Sequence, residues 1–263
     1  GWKQLNGKAL YAVKSGEIIG TTVFKEPNSF LVTEADYGDF ILELEYKVED
    51  GLNSGIQFRS ASKPEFKNGR VHGYQYEIDP LPRAWSAGIY DEARRDWLYP
   101  MEYNPSAKKQ LQLKTWNKCR VECIGNSIRT FINGKAAANI VDDLTPKGFI
   151  ALQVHAVGKP EEAGKQIRWR NIRIQTINLT PTPFDDVFVV NLLSNNLSAQ
   201  EKKNGVQLLF DGKTTEGWRG AYKERFPEKG WEVKDGELRV LGATGAESTN
   251  GGDIVSTKQY SAF

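Results

Sequence analysis

Apolar and polar residues alternate along much of the chain up to residue 175, the period of a strand buried on one face. In Phe40–Val48, the apolar Leu42, Leu44, Tyr46 and Val48 interleave with Glu43, Glu45 and Lys47. The same rhythm predicts strands over residues 55–59, 73–79, 118–124, 127–132, 149–155 and 167–174. Gly125-Asn126 and Asn133-Gly134 flank Ser127–Ile132 and read as tight hairpin turns, which need residues that tolerate positive φ. Short strands at this spacing, with no convincing amphipathic helix before residue 180, predict an all-β sandwich or barrel.

The pattern changes at Thr180-Pro-Thr-Pro183, a stiff extended connector. Phe184–Leu193 is apolar without a clear period. Ser198-Ala-Gln-Glu201 has the form of a capping box, so a short helix is expected there. Beyond it the opening of the chain recurs. Gly217-Trp218 matches Gly1-Trp2, and Trp231–Glu237 matches Tyr11–Glu17. Asp253–Ser256 and Tyr260 match Phe30–Thr33 and Tyr37, and Phe263 falls at the place of Phe40. The expected organisation is a complete β-sandwich over 1–179, a linker with a short helix over 180–204, and the N-terminal part of a second, incomplete copy over 205–263. Opening segments alone lack the partner strands that bury a sandwich core. A fragment of a longer two-copy protein is therefore the expectation, with Gly1-Trp2 a cut end. Packing of 205–263 on a sandwich in the same or a neighbouring chain is the alternative.

Alternation also sorts the polar residues by face. Asn53, Gln57 and Arg59 share one face, opposite Ser54, Ile56 and Phe58. Gln75, Glu77 and Asp79 share a face opposite Tyr74, Tyr76 and Ile78. Gln153 and His155 lie opposite Ile150, Leu152 and Val154. If these three strands are neighbours, their non-core faces form one concave polar surface suited to a ligand dense in hydroxyls, since amides donate and accept and carboxylates accept. Trp85, Tyr90, Trp97 and Tyr99 offer a flat apolar wall from the stretch 80–104, where Asp91 also lies. Each polar residue has a plainer reading beside this one: Glu77 and Asp79 as a solvated strand face, Arg59 as an ion-pair partner, His155 as a structural histidine.

Composition narrows the classes. With 39% hydrophobic and 11% aromatic residues, the chain can bury a core. The net charge of +2, without a basic block, removes the electrostatic reason to expect nucleic acid or an anionic membrane surface. No apolar run has the length of a membrane-spanning helix. Cys119 and Cys123 sit about 13 Å apart along one predicted strand, beyond the roughly 7 Å that a disulfide bridges, and read as core thiols. Zinc-ligand spacing, phosphate loops, dinucleotide fingerprints and nucleophile elbows are missing from the sequence.

The segments Asn53–Arg59, Gly73–Asp79, Gly88–Asp91, Trp116-Asn117, Phe131–Lys135, Gly148–His155 and Arg170–Ile174 resemble the 3-keto-disaccharide hydrolase family. Leu209–Lys213 with Gly217-Trp218 looks like that family's opening. Arg168-Trp169 departs mildly from the family pattern. The resemblance implies a concanavalin A-like jelly-roll sandwich acting on carbohydrate, commonly periplasmic or secreted. A 3-keto glycoside has an acidic C2 proton, so a base can start β-elimination of the aglycone, with water adding afterwards. The expected catalytic residues are Glu77, Asp79, Arg59 and His155. The expected substrate-binding residues are Asn53, Gln57, Gln75, Tyr90, Asp91 and Gln153. No organic cofactor is expected; a divalent metal is an open option, with Arg59 or that metal holding the enolate oxygen. A conventional two-carboxylate glycosidase using Glu77 and Asp79 stays open, as does a lectin-like binding module. Oligomeric state is open.

Overall fold

The computed structural model describes residues 1–184, 187–242 and 251–261. The chain divides into two compact units, Gly1–Leu192 and Leu193–Phe263. The first unit is built from β1 (Trp2–Asn6), β2 (Leu10–Lys14), β3 (Glu17–Thr21), β4 (Ser29–Tyr37), β5 (Phe40–Val48), β6 (Ser54–Ala61) and β7 (His72–Ile78). It continues through β8 (Ile89–Glu92), β9 (Asp96–Tyr99), β10 (Asn117–Ile124), β11 (Ser127–Ile132) and β12 (Lys135–Val141). The last strands of the unit are β13 (Gly148–Val154), β14 (Gln166–Gln175) and β15 (Val190–Asn191). They form a seven-stranded sheet in the order β1-β4-β13-β6-β7-β8-β9 and an eight-stranded sheet in the order β15-β12-β11-β10-β5-β14-β3-β2. This is an all-β jelly-roll sandwich.

The alternating residues meet between the sheets. Leu42, Leu44 and Tyr46 of β5 are buried in one cluster with Ile56, Phe58, Tyr74 and Tyr76 of β6 and β7. The Tyr46 and Tyr76 rings meet edge to face at 6.2 Å. Trp169 of β14 is fully buried in the same core. Cys119 and Cys123 are free and buried, and burial pushes the Cys123 thiol up to about 12. Asn133 (φ 50°) and Gly134 (φ 81°) make the two-residue turn between β11 and β12, both in the left-handed region that such a turn requires.

The second unit opens with α1 (Ala199–Lys203). Its capping box is formed: Glu201 N–H donates to Ser198 Oγ at 3.1 Å, and Ser198 N–H to Glu201 Oε2 at 2.7 Å. β16 (Trp218–Gly220) pairs antiparallel with β19 (Ile254–Ser256), setting Trp218 opposite Ser256. In the first unit, Trp2 stands opposite Thr33 in the β1–β4 pair. β17 (Trp231–Lys234) and β18 (Glu237–Val240) form a hairpin with Lys234 opposite Glu237, as Lys14 stands opposite Glu17. Phe263, matched to Phe40 in the sequence, lies outside the described residues. Among the described residues no helix is long and apolar enough to cross a membrane.

Trp169 of β14 stands opposite Tyr46 of the adjacent β5, and both side chains are fully buried in the core. Trp169→Ala is expected to cost about 3–5 kcal/mol, read as a lower urea midpoint at unchanged slope.

Candidate active site

Three adjacent strands of the seven-stranded sheet carry the polar faces. Gln153 of β13 pairs with Gly55 of β6, which pairs with Glu77 of β7. One step along, Ala151, Gln57, Gln75 and Tyr90 form a second row across β13, β6, β7 and β8. The outer face of these rows opens into a polar cavity of about 270 Å³. Asn53, Gln75, Glu77, Tyr90, Gln153 and His155 all line it, so six of the ten expected site residues converge there.

Glu77 is buried on the cavity wall. It accepts from Asn53 Nδ2 at 2.6 Å and Gln75 Nε2 at 2.7 Å. The Gln75 amide is itself oriented, because its Oε1 accepts from Gln57 Nε2 at 2.5 Å. Gln57 Oε1 in turn accepts from Ser60 Oγ at 2.8 Å. A relay Ser60→Gln57→Gln75→Glu77 thus fixes the carboxylate. Gly55 makes room for it: a Cβ there would lie 2.3 Å from Gln75 Cδ. Burial pushes the Glu77 carboxyl up to about 7, against the two amide donors and Arg83, with Asp79 adding to the rise. Near neutrality, Glu77 is therefore divided between acid and base.

Four expected residues do not reach the cavity. Arg59 sits at a bulge in β6, with φ 44° and a register break between Phe58 and Ala61. The bulge turns its guanidinium away from Gln57, to the carbonyls of Gly38 and Gly125 and to Asp39, each at 2.9 Å. Its side chain is 1% exposed, a structural clamp and not an enolate ligand. Asp79 lies just past the end of β7 and organises the following loop. Its Oδ2 accepts from Arg83 Nε at 2.5 Å and from Trp85 N–H, and its Oδ1 from Leu81 N–H. Asp91 points to the other side of β8 from Tyr90, where Arg94 and Arg95 hold it. Gln57 acts from beneath, through Gln75.

The rest of the wall comes from connections. Trp97 of β9 packs against Tyr90 with ring centroids 5.2 Å apart. The Tyr90 hydroxyl donates to Asp96 at 2.8 Å, and burial raises its phenol so that it stays protonated. His155 contacts Ala156 O through Nδ1 at 2.8 Å, and because a carbonyl oxygen only accepts, Nδ1 carries a hydrogen in that contact. Asn28, Arg70, Arg83 and Glu92 complete the lining and were not expected. Extending the alternation rule through β8 would have paired Glu92 with Tyr90. The other three stand outside strands, where periodicity carries no face information. Arg70 donates to Glu92 at 2.9 Å, and Arg83 stacks over Trp85 and Trp97 at 5.0 and 4.9 Å. Among the described residues, no three His, Cys, Asp or Glu side chains gather as a metal site.

The family described as 3-keto-alpha-glucoside-1,2-lyase-like domain matches residues 1–175 and 205–263. A protein of Bacteroides thetaiotaomicron named 3-keto-disaccharide hydrolase is 39% identical over 62 residues, 23% of this chain and 21% of that protein. The chain thus spans about a fifth of that relative's length. A structure from Parabacteroides distasonis, described as a candidate glycosyl hydrolase, aligns with TM-score 0.49 at 18% identity, over 68% of this chain and 89% of that one. The carbohydrate-binding module CBM66 of Bacillus subtilis aligns with TM-score 0.42 at 16% identity, over 66% and 95%.

Because the folded state holds its Glu77 proton more tightly than the unfolded chain does, this group's stabilising effect is full below about pH 4.5. It is lost as pH rises to about 7, a fall of up to about 3 kcal/mol. Urea unfolding across that window should show the fall, and Glu77→Gln should remove it. Arg83 also stands 4.0 Å from Glu77 while bonded to Asp79. Asp79→Asn should free Arg83 for Glu77 and remove a neighbouring negative charge. Both effects lower the Glu77 pKa, so the midpoint of the stability profile should move to lower pH; an upward move would refute this account.

Proposed function

The chain belongs to the 3-keto-alpha-glucoside-1,2-lyase-like domain family, and from that premise we propose that it cleaves 3-keto glycosides by C2 deprotonation and β-elimination. The observation that carries this reading is Glu77, a buried carboxylate titrating near neutrality on the wall of a polar cavity. Such a group is matched to removing a proton that a neighbouring ketone has acidified. In its ionised form Glu77 takes the C2 proton, and the C2–H electron pair becomes the C2=C3 bond of an enolate while the carbonyl pair moves to O3. When C3=O re-forms, the enolate pair makes C1=C2, and the C1–O bond breaks with its electrons leaving on the aglycone oxygen. That oxygen takes up the proton that Glu77 removed, relayed by His155 at the cavity edge, and Glu77 returns to its ionised form. Water then adds across C1=C2 to give the free 3-keto sugar. Tyr90 and Trp97 supply an aromatic surface for the ring, and the amides around Glu77 keep its carboxylate in place.

Single-base chemistry suits this site better than a conventional pair of carboxylates. A two-carboxylate glycosidase needs a second acid facing the same bond. Asp79 is held by Arg83 and the backbone of its own loop, and Glu92 by Arg70.

The test follows aglycone release from a panel of 3-keto glycosides and their unoxidised parents, with and without divalent metal. Release is expected from the 3-keto forms alone. Glu77→Gln should lower kcat by about 10²–10⁴, the usual contribution of a positioned base, with the fold intact by circular dichroism. Binding of an unoxidised glycan without release from any substrate would instead mark a carbohydrate-binding module.

A further inference from the structure

Nearly every polar side chain lining the cavity is committed to another protein group. Asn53 and Gln75 bond to Glu77, Arg70 to Glu92, Arg83 to Asp79 and Tyr90 to Asp96. Asn28 accepts from Ala156 N–H, and His155 Nδ1 contacts Ala156 O. Gln153 is the exception. Its side chain is fully buried, and among the described residues neither Nε2 nor Oε1 has a hydrogen-bond partner. A buried amide with both ends open is destabilising in the free protein, and native folds rarely keep one without a use.

Its place in the sheet indicates that use. Gln153 and Glu77 are the two ends of one row across β13, β6 and β7, with Gly55 between them. Neighbouring strands lie about 4.8 Å apart, so the two backbones stand roughly 10 Å from each other, on opposite sides of the same stretch of cavity. The residue expected to hold the enolate oxygen, Arg59, is clamped to Gly38, Gly125 and Asp39 instead. The developing negative charge needs a donor, and Gln153 is a buried amide of the lining with no hydrogen bond made among the described residues.

Resting on the reaction proposed above, we infer that Gln153 is the catalytic donor to the ketone: Nε2–H donates to O3, and Oε1 accepts from the adjacent hydroxyl. A ketone oxygen can only accept, and the hydroxyl beside it can donate, so a hydroxy-ketone fixes the amide in one orientation. As the C2 proton leaves for Glu77, charge collects on O3, and the Nε2–H bond strengthens in the transition state more than in the ground state. The same group therefore selects oxidised sugars over their parents and lowers the barrier.

The experiment uses the full chain with Gln153→Met, which keeps side-chain length, and Gln153→Asn, which keeps the amide but withdraws it. Single-turnover release from the best 3-keto glycoside is compared with affinity for its unoxidised parent and with thermal unfolding. The methionine variant should lose about 10²–10³ in kcat, the cost of one oxyanion donor, with a smaller change in KM. Its preference for the 3-keto form over the parent should shrink. Its Tm should hold or rise by about 2–4 °C, since an unpaired buried amide is gone. The asparagine variant should lose turnover as well. Wild-type turnover in the methionine variant, or a lowered Tm with proportionate loss on all ligands, would overturn the assignment and leave Gln153 a structural residue. If the wild-type protein releases nothing from any 3-keto glycoside, the reaction itself is refuted, and this role for Gln153 falls with it.

Discussion

The site depends on keeping one carboxylate away from water. Glu77 lies between two neighbouring strands, and its two oxygens are taken by Asn53 and Gln75. Those amides favour the ionised form, whereas burial favours the neutral one, and burial is the larger effect. The balance leaves the group near neutrality. If burial were relaxed, the same two donors would hold an ordinary ionised glutamate, too weak a base for a carbon acid. Gly55 leaves the room in which the Gln75 amide lies, since a Cβ there would stand 2.3 Å from Gln75 Cδ.

Keeping that balance also requires disciplined cations. Arg70, Arg83, Arg94 and Arg95 lie on or near the elements that line the cavity, and a free guanidinium beside Glu77 would pull its pKa down. Each is assigned to another acid: Arg70 to Glu92, Arg83 to Asp79, Arg94 and Arg95 to Asp91. Arg95 also bonds to Asp142, which joins the β8–β9 hairpin to the end of β12. Arg94 reaches Thr145 and stacks on Tyr74. These pairs fix the hairpin that presents Tyr90 and Trp97, so the ion pairs and the aromatic wall are two faces of one device. Asp79 and Asp91 act in this supporting layer and not on the cavity wall.

The fold was readable because its physics is local and periodic. Leu42, Leu44, Tyr46 and Val48 declare their face by spacing alone, and Ser198 with Glu201 declares a helix start. The convergence of Asn53, Gln75, Glu77, Gln153 and His155 was readable for the same reason, since β13, β6 and β7 are neighbours. Period two fails where the chain breaks its own regularity. One bulge reverses Arg59, and the end of β7 takes Asp79 off the face it would have shared with Glu77. Arg83, Arg70 and Asn28 enter from connections, whose side-chain directions are set by tertiary packing that no local pattern records.

A sandwich of this kind is compatible with catalysis and with simple sugar binding, so the site must decide between them. Binding alone asks for satisfied, flat and complementary polar groups, and it gains nothing from a carboxylate held at a costly protonation balance. It gains nothing either from a buried amide left open at both ends. Both features are destabilising in the free protein, and both lie in one row of the sheet. A surface selected for affinity would have resolved each of them cheaply, by exposing Glu77 or by giving Gln153 a partner. In the reaction proposed above, their coexistence across a cavity walled by Tyr90 and Trp97 supplies one group to take a proton and one to receive the charge left behind.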